Sequence, residues 1–285
     1  MTPTLVRQHL SHTGEGSRTD LGARARDWSE IQERMLVPLY EAVYERLEVG
    51  PAARVLGLGC GSGLALLMAA SRGAAVAGVE PSCPERLALA RQRLLPETYG
   101  TRARAVTRLV EGAPGDAADA GTPPYTLVTA FEPIGCLAGG SEGLGELLAS
   151  ATPLAERGAP VALAGWGPPE RCATSSVLRV ATKLADPLRS TGSWRPALRD
   201  DLEEVAQRAG LRPDGSGRVA CPFGYADLDS ALRGLLSTGL FDAAIEATDR
   251  AQVDKEVTEA LHPYQRRDGT VWMPNVFRYL IARVP

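Results

Sequence analysis

The chain has 285 residues, of which 44% are hydrophobic, 5% aromatic and 23% charged, with a formal net charge of −3. That length buries a core without disulfide or metal staples, and the charge balance provides no basic field for a polyanion, which weighs against a nucleic-acid partner. No stretch approaches the ~20 apolar residues that cross a bilayer and the polar start lacks a signal-peptide core, so a cytoplasmic protein without a membrane partner is expected.

Cys60, Cys83, Cys136, Cys172 and Cys221 are odd in number and scattered, which argues against a disulfide framework. No His, Cys, Asp or Glu cluster has metal-ligand spacing, so no metal is expected. Residues 1–20 read as a polar, mobile arm. A helix is expected to start from Asp27 or Ser29 as its cap. It carries Ile31, Met35, Leu39, Val43 and Leu47 at intervals of four, is broken near Pro38 and stops at Gly50-Pro51.

From Arg54 short apolar runs alternate with helical stretches. Strands are predicted at 54–58, 75–79, 105–110, 125–131 and 160–164, and helices near 63–71, 82–95 and 142–156. Ser82-Cys83-Pro84-Glu85 reads as a capping box. Such alternation implies parallel strands with right-handed crossovers, hence a doubly wound α/β sheet, and continuously apolar runs imply cover on both faces. Beyond Trp166 the rhythm lapses until about Pro196. A helix (about 200–209), a strand (216–222), helices near 227–237 and 240–262, and a final strand (271–282) follow. The expected organisation is one domain over 21–285, with a helical cap at about 168–198 and 223–265.

Arg54-Val-Leu-Gly-Leu-Gly-Cys-Gly-Ser-Gly63 leads from a strand through four glycines into a helix. Glycines permit positive φ and a close ligand, and a helix start offers free N–H groups. The spacing fails the dinucleotide fingerprint from either Gly57 or Gly59, and no lysine follows as a phosphate loop requires. Glu80 ends the second strand, where a carboxylate can accept hydrogen bonds from both hydroxyls of a ribose. The alternative is a solvent-facing acid that caps the next helix.

Gly59-x-Gly61-x-Gly63 after an apolar strand, followed by Glu80, resembles motif I and the acid after it in class I S-adenosylmethionine (SAM)-dependent methyltransferases. Fainter likeness extends over residues 50–165. The resemblance implies a Rossmann-like, seven-stranded sheet of order 3-2-1-4-5-7-6 with the last strand antiparallel. It also implies SAM as cofactor and S-adenosylhomocysteine as product. Gly57, Gly59, Cys60, Gly61, Gly63, Glu80, Pro81, Gly112, Ala113 and Phe131 then fall in cofactor-binding positions. Trp28, opening an N-terminal helix that in such enzymes often folds over the cofactor, is a candidate to offer its ring face to the sulfonium, against ordinary core packing. Gly57 and Thr126 stand where the family usually carries acids, and Ala113 where an acid commonly follows the turn glycine.

Methyl transfer draws on positioning and needs a base only when the acceptor must lose a proton. Glu132, ending the fourth strand, is the first candidate for base or substrate anchor, against a role in bonding nearby backbone. His262 is a second candidate, against a plain surface histidine, and Trp166 is a candidate wall for the acceptor pocket, against core packing. The implied reaction is methyl transfer to O, N or C of a small organic acceptor in bacterial secondary metabolism, by a monomer or homodimer. Two alternatives stand: a SAM-binding enzyme that cyclises, rearranges or cleaves without methyl transfer, and a non-catalytic regulatory protein.

Overall fold

The computed structural model describes residues 20–95, 107–119, 121–134, 143–185 and 201–285. The proposed arm, the first residues of the expected third strand and the stretch 186–200 lie outside them. None of the helices among the described residues is long and apolar enough to cross a membrane.

Seven strands form the main sheet: β1 (Arg54–Leu58), β2 (Ala75–Val79), β3 (Thr107–Val110), β4 (Leu127–Ile134), β5 (Pro160–Trp166), β6 (Arg212–Ala220) and β9 (Val276–Arg283). Their order is β3-β2-β1-β4-β5-β9-β6. The first five run parallel, and β9 is antiparallel to both its neighbours. This is the expected seven-stranded order with its last strand reversed. Side chains alternate as pleating requires: Val55 and Val76 face one buried cluster, whereas Leu56, Leu58, Ala77 and Val79 face the other. Both faces are covered, which is why these strands read as unbroken apolar runs.

Around the sheet lie α2 (Val37–Arg46), α3 (Leu64–Ser71), α4 (Pro84–Leu94), α5 (Leu144–Ala151), α6 (Thr174–Ala185) and α7 (Asp201–Arg208), then α8 (Leu228–Leu236), α9 (Asp242–Ala247) and α10 (Arg250–Leu261). Each of the helices predicted between strands one and five is present within a few residues of its predicted bounds.

Four local expectations are corrected. The N-terminal helix α1 (Leu21–Asp27) starts earlier than Asp27 or Ser29, because Asp20 accepts the Ala23 N–H at 2.9 Å and caps it. It continues through a π turn (Trp28–Gln32) and a 3-10 turn (Glu33–Leu36) before α2, where Pro38 occupies the first turn and costs no hydrogen bond. The capping box at Ser82 does not form: Cys83 is the N-cap of α4 and caps no N–H, while the Ser82 N–H is taken by Glu80. The strand expected at 216–222 is β6, ending at Ala220, and the strand expected at 271–282 is divided. Pro274 and Asn275 separate β8 (Val271–Met273) from β9, and β8 pairs with β7 (Phe223–Tyr225) in a second, two-stranded sheet. Proline lacks the N–H that a continuous ladder needs at that point.

Candidate functional site at the end of strands one and four

The strand order reverses between β1 and β4, so the crossovers leave on opposite faces and a crevice opens outside their carboxyl ends. β1 delivers Leu58 into the glycine loop, where Gly59, Gly61 and Gly63 have φ of 59°, 56° and 81°. All three lie in the left-handed region that glycine enters without penalty. The loop is pinned from the second strand. The Cys60 N–H donates to the Val79 carbonyl at 3.0 Å, and the Gly61 N–H donates to Glu80 Oε2 at 2.9 Å. Ser82 N–H donates to Glu80 Oε1 at 3.2 Å, so one buried carboxylate joins the glycine loop to the turn after β2. Burial raises the Glu80 pKa above the ordinary carboxyl value, and the two N–H donors work against that rise.

The loop lies close to the sheet because two neighbouring strands present glycine there. Gly57 and Gly78 are register partners. A side chain at Gly78 would bring its Cβ within 2.6 Å of Leu66 Cδ1 and 2.9 Å of Cys60 Sγ, and one at Gly57 within 3.1 Å of Leu66 Cδ2. An acid at 57 would therefore crowd Leu66. Cys60 is packed into this floor, and burial pushes its thiol up to about 12, so it is no nucleophile at neutral pH. Thr126 has a place in the ladder: its hydroxyl accepts the Arg54 N–H at 2.9 Å.

Two compartments meet at Leu58, Gly59 and Glu132. The larger, about 560 Å³, lies between Pro81-Ser82 and Gly112-Ala113-Pro114, with α5 as its outer wall. Glycine, alanine, serine and proline from the turns line one side of it, and Leu144, Glu146 and Leu147 the other. Its far turn is held shut by Asp116, whose Oδ2 accepts the Ala113 N–H at 3.0 Å. The smaller, about 30 Å³, lies beneath Trp28, Glu33 and Tyr40, against Gly57, Gly61 and Phe131. Glu132 is exposed where the two join. Thus Trp28, Gly57, Gly59, Cys60, Gly61, Glu80, Pro81, Gly112, Ala113, Phe131 and Glu132 all come to one crevice.

Other expected positions lie elsewhere. Gly63 faces α4, where an added Cβ would be 3.0 Å from that of Ala90, so it serves helix packing. His262 is exposed on the 3-10 turn His262–Tyr264 and does not line the crevice. Trp166 packs on Phe277, ring centroids 4.5 Å apart, in the core near β9.

Two solved structures are similar to this chain in fold. A Bacillus halodurans protein assigned as a methyltransferase is similar over 86% of this chain and 98% of its own, at 13% identity and a TM-score of 0.52. The [4+2]-cyclase SpnF is similar over 87% of this chain and 80% of its own, at 12% identity and a TM-score of 0.50. The chain has their fold. No family model and no curated protein matches the sequence. A shared fold leaves the reaction open, since function resides in the site grafted onto it.

Two residues that sequence reading missed complete the site. Glu33, buried, accepts from the Ser62 hydroxyl, from Arg93 Nη1 at 2.7 Å and, more weakly, from the Leu64 N–H at 3.4 Å. Arg93 also donates to the Ser62 carbonyl at 2.9 Å and to Ser29 Oγ at 2.8 Å, so it ties α4, the loop and the N-terminal segment together. The π turn that aims Glu33 has no signature in a four-residue apolar spacing. Tyr40 also reaches the crevice, and burial, together with the negative charges of Glu33 and Glu132, raises its pKa well above the ordinary phenol value. Three carboxylates, Glu33, Glu80 and Glu132, and one guanidinium, Arg86, line this end.

Proposed function

We propose that the chain is a SAM-dependent methyltransferase acting on a small organic acceptor. The observation that carries this reading is Glu80, a buried carboxylate at the strand-order reversal that lines the narrow compartment and accepts both the Gly61 N–H of the glycine loop and the N–H of Ser82 in the wall of the roomy one. The residues present suit the cofactor. Glu80 retains acceptor capacity for ribose hydroxyls beside its two N–H bonds. The compartment bounded by Pro81, Gly112 and Ala113, about 560 Å³, is large enough for an adenine ring. The three carboxylates that line the narrow end, against one guanidinium, suit a cationic sulfonium and ammonium.

When bound, SAM supplies a methyl group on a positively charged sulfur. This chain's residues orient it and exclude water. Glu132, exposed where the compartments meet, is placed to anchor an acceptor or take its proton, and the acceptor enters across the ends of β4 and β5. Residues 21–285 work as one domain, with about 168–198 and 223–265 capping the acceptor side and 1–20 as an arm. The ring of Trp28 is already faced by the Arg86 guanidinium, 4.2 Å from its centroid, which leaves less of its π face for a sulfonium. A cytoplasmic role in bacterial secondary metabolism is consistent with this reading.

Titration calorimetry with S-adenosylhomocysteine tests the cofactor, with micromolar binding expected; no binding overturns the proposal. Incubation with methyl-labelled SAM and candidate acceptors, followed by mass spectrometry, tests transfer. A second reading, cyclisation or rearrangement beside bound SAM, draws on Gly57 in place of an acid and on the cyclase that has the same fold. It predicts cofactor binding with an isomerised substrate and no labelled product.

A further inference from the structure

The narrow compartment contains an unpaired donor beside an acidic acceptor. Trp28 Nε1 is buried and has no hydrogen-bond partner, although the residue is only 9% exposed. A buried donor left unpaired is costly, so native structures rarely retain one without a reason. A Cβ on Gly61 would lie 3.3 Å from Trp28 Nε1 and equally 3.3 Å from Glu33 Oε1. The missing side chain of Gly61 thus leaves a small cell with an N–H donor and a carboxylate acceptor on its wall.

The backbone explains how the two side chains come together. In an α-helix residues five apart point about 140° away from each other. Here the Glu33 N–H donates to the Trp28 carbonyl, the i to i+5 bond of a π turn, which stacks the two residues on one face. Arg93 holds Glu33 from behind, and the weak Leu64 contact leaves Oε1 capacity for another donor.

The charged and titratable groups lining this end are Glu33, Glu80, Glu132, Arg86, Tyr40 and Cys60. Arg86 is committed to the Trp28 ring and to the Ser237 carbonyl at 2.8 Å. A group that presents both an ammonium and a carboxylate matches an acidic acceptor beside a lone donor. We infer that Trp28 and Glu33 bind the α-amino-acid end of an adenosyl ligand. Trp28 Nε1–H donates to its carboxylate and Glu33 Oε1 accepts from its ammonium. The π turn thereby supplies from the N-terminal segment an acid that position 57, a glycine packed against Leu66, does not carry. This inference rests on the SAM reading above.

The test compares two ligands by calorimetry: S-adenosylhomocysteine, and 5′-methylthioadenosine, which lacks the amino-acid end. E33Q is expected to weaken the first about 10- to 100-fold and W28F by about three- to tenfold, as befits lost charged and neutral hydrogen bonds. Both should leave 5′-methylthioadenosine within about twofold. Because E33Q also removes a buried charge that Arg93 pairs with, wild-type protein is titrated as well with S-adenosylhomocysteine lacking its amino group, where a loss of about tenfold or more is expected. Equal losses for both ligands, or no loss for the deaminated one, overturn the inference while leaving the cofactor reading intact. Failure of wild type to bind either adenosyl ligand overturns the cofactor reading and the inference with it.

Discussion

The two ends of the crevice are built by different means. At the wide end, about 560 Å³, the walls are the Pro81 and Gly112 turns, fixed by their own strands and by α5. At the narrow end, about 30 Å³, the walls are side chains brought in from the N-terminal segment and held by Arg93 and Arg86. The wide end is therefore a property of the sheet, and the narrow end depends on long-range docking of a helix interrupted by a π turn. Binding of the nucleoside and of the amino-acid part should be separable by mutation.

The substitution expected to break both ends at once is Gly63→Val. Its φ of 81° and a Cβ 3.0 Å from Ala90 combine backbone strain with overpacking, worth about 2–5 kcal/mol together. Thermal melting should fall steeply and all adenosyl binding should vanish. A stable, binding-competent variant would show that the loop tolerates a second geometry.

Arg93→Met sharpens the contrast, because it leaves Glu33 buried without its cation. With the arginine partly exposed, a loss of about 2–3 kcal/mol is expected in denaturant unfolding. The N-terminal segment should become protease-sensitive while 5′-methylthioadenosine still binds. Equal loss of both ligands would show that the two ends are one cooperative unit.

Glu80→Gln acts at the seam between the ends, because Glu80 lines the narrow one and holds the Ser82 N–H in the wall of the wide one. It should weaken every adenosyl ligand about tenfold, with or without an amino-acid group. It also has a pH signature. Burial raises the folded carboxyl pKa, so native wild type binds more protons than the unfolded chain between the ordinary and the raised value. Its stability from this group is highest below that window and falls as pH rises through it. The stability of E80Q relative to wild type should therefore grow with rising pH across the window and stay flat below it. Denaturation midpoints at several pH values would show this; a flat difference would place the carboxylate in solvent, and the opposite slope would show its two N–H donors outweighing burial.

The smallest effect is expected at Arg108→Ala. The ion pair with Asp119, 3.1 Å long and exposed on both sides, lies outside the crevice. The denaturation midpoint should stay at the wild-type value and ligand binding should not change.

Much of the wide end was legible. Leu56, Leu58, Val76 and Val79 give unbroken apolar runs, and the glycines at 59, 61 and 63 mark a turn that needs positive φ. Such signals are local, so β1 and β2 appear with the bounds their sequences predict. The edge of the sheet was less legible: β6 contains Pro213, Gly215 and Gly217 and alternates between exposed and half-buried positions, so its apolar signal is weak. The division of β8 from β9 at Pro274 followed from pairing with β7, a partner remote in sequence.

By itself the sequence determined the alternation of strand and helix, the parallel order that follows from it, and a loop able to receive a ligand at the backbone. These depend on period, glycine and handed crossovers, all properties of neighbouring residues. Only the tertiary structure decided that Glu33 and Arg93 complete the site, that Gly63 serves packing and that His262 faces away from the crevice. Buried charges and unpaired donors acquire their meaning from what docks against them, and no spacing along a single helix records that.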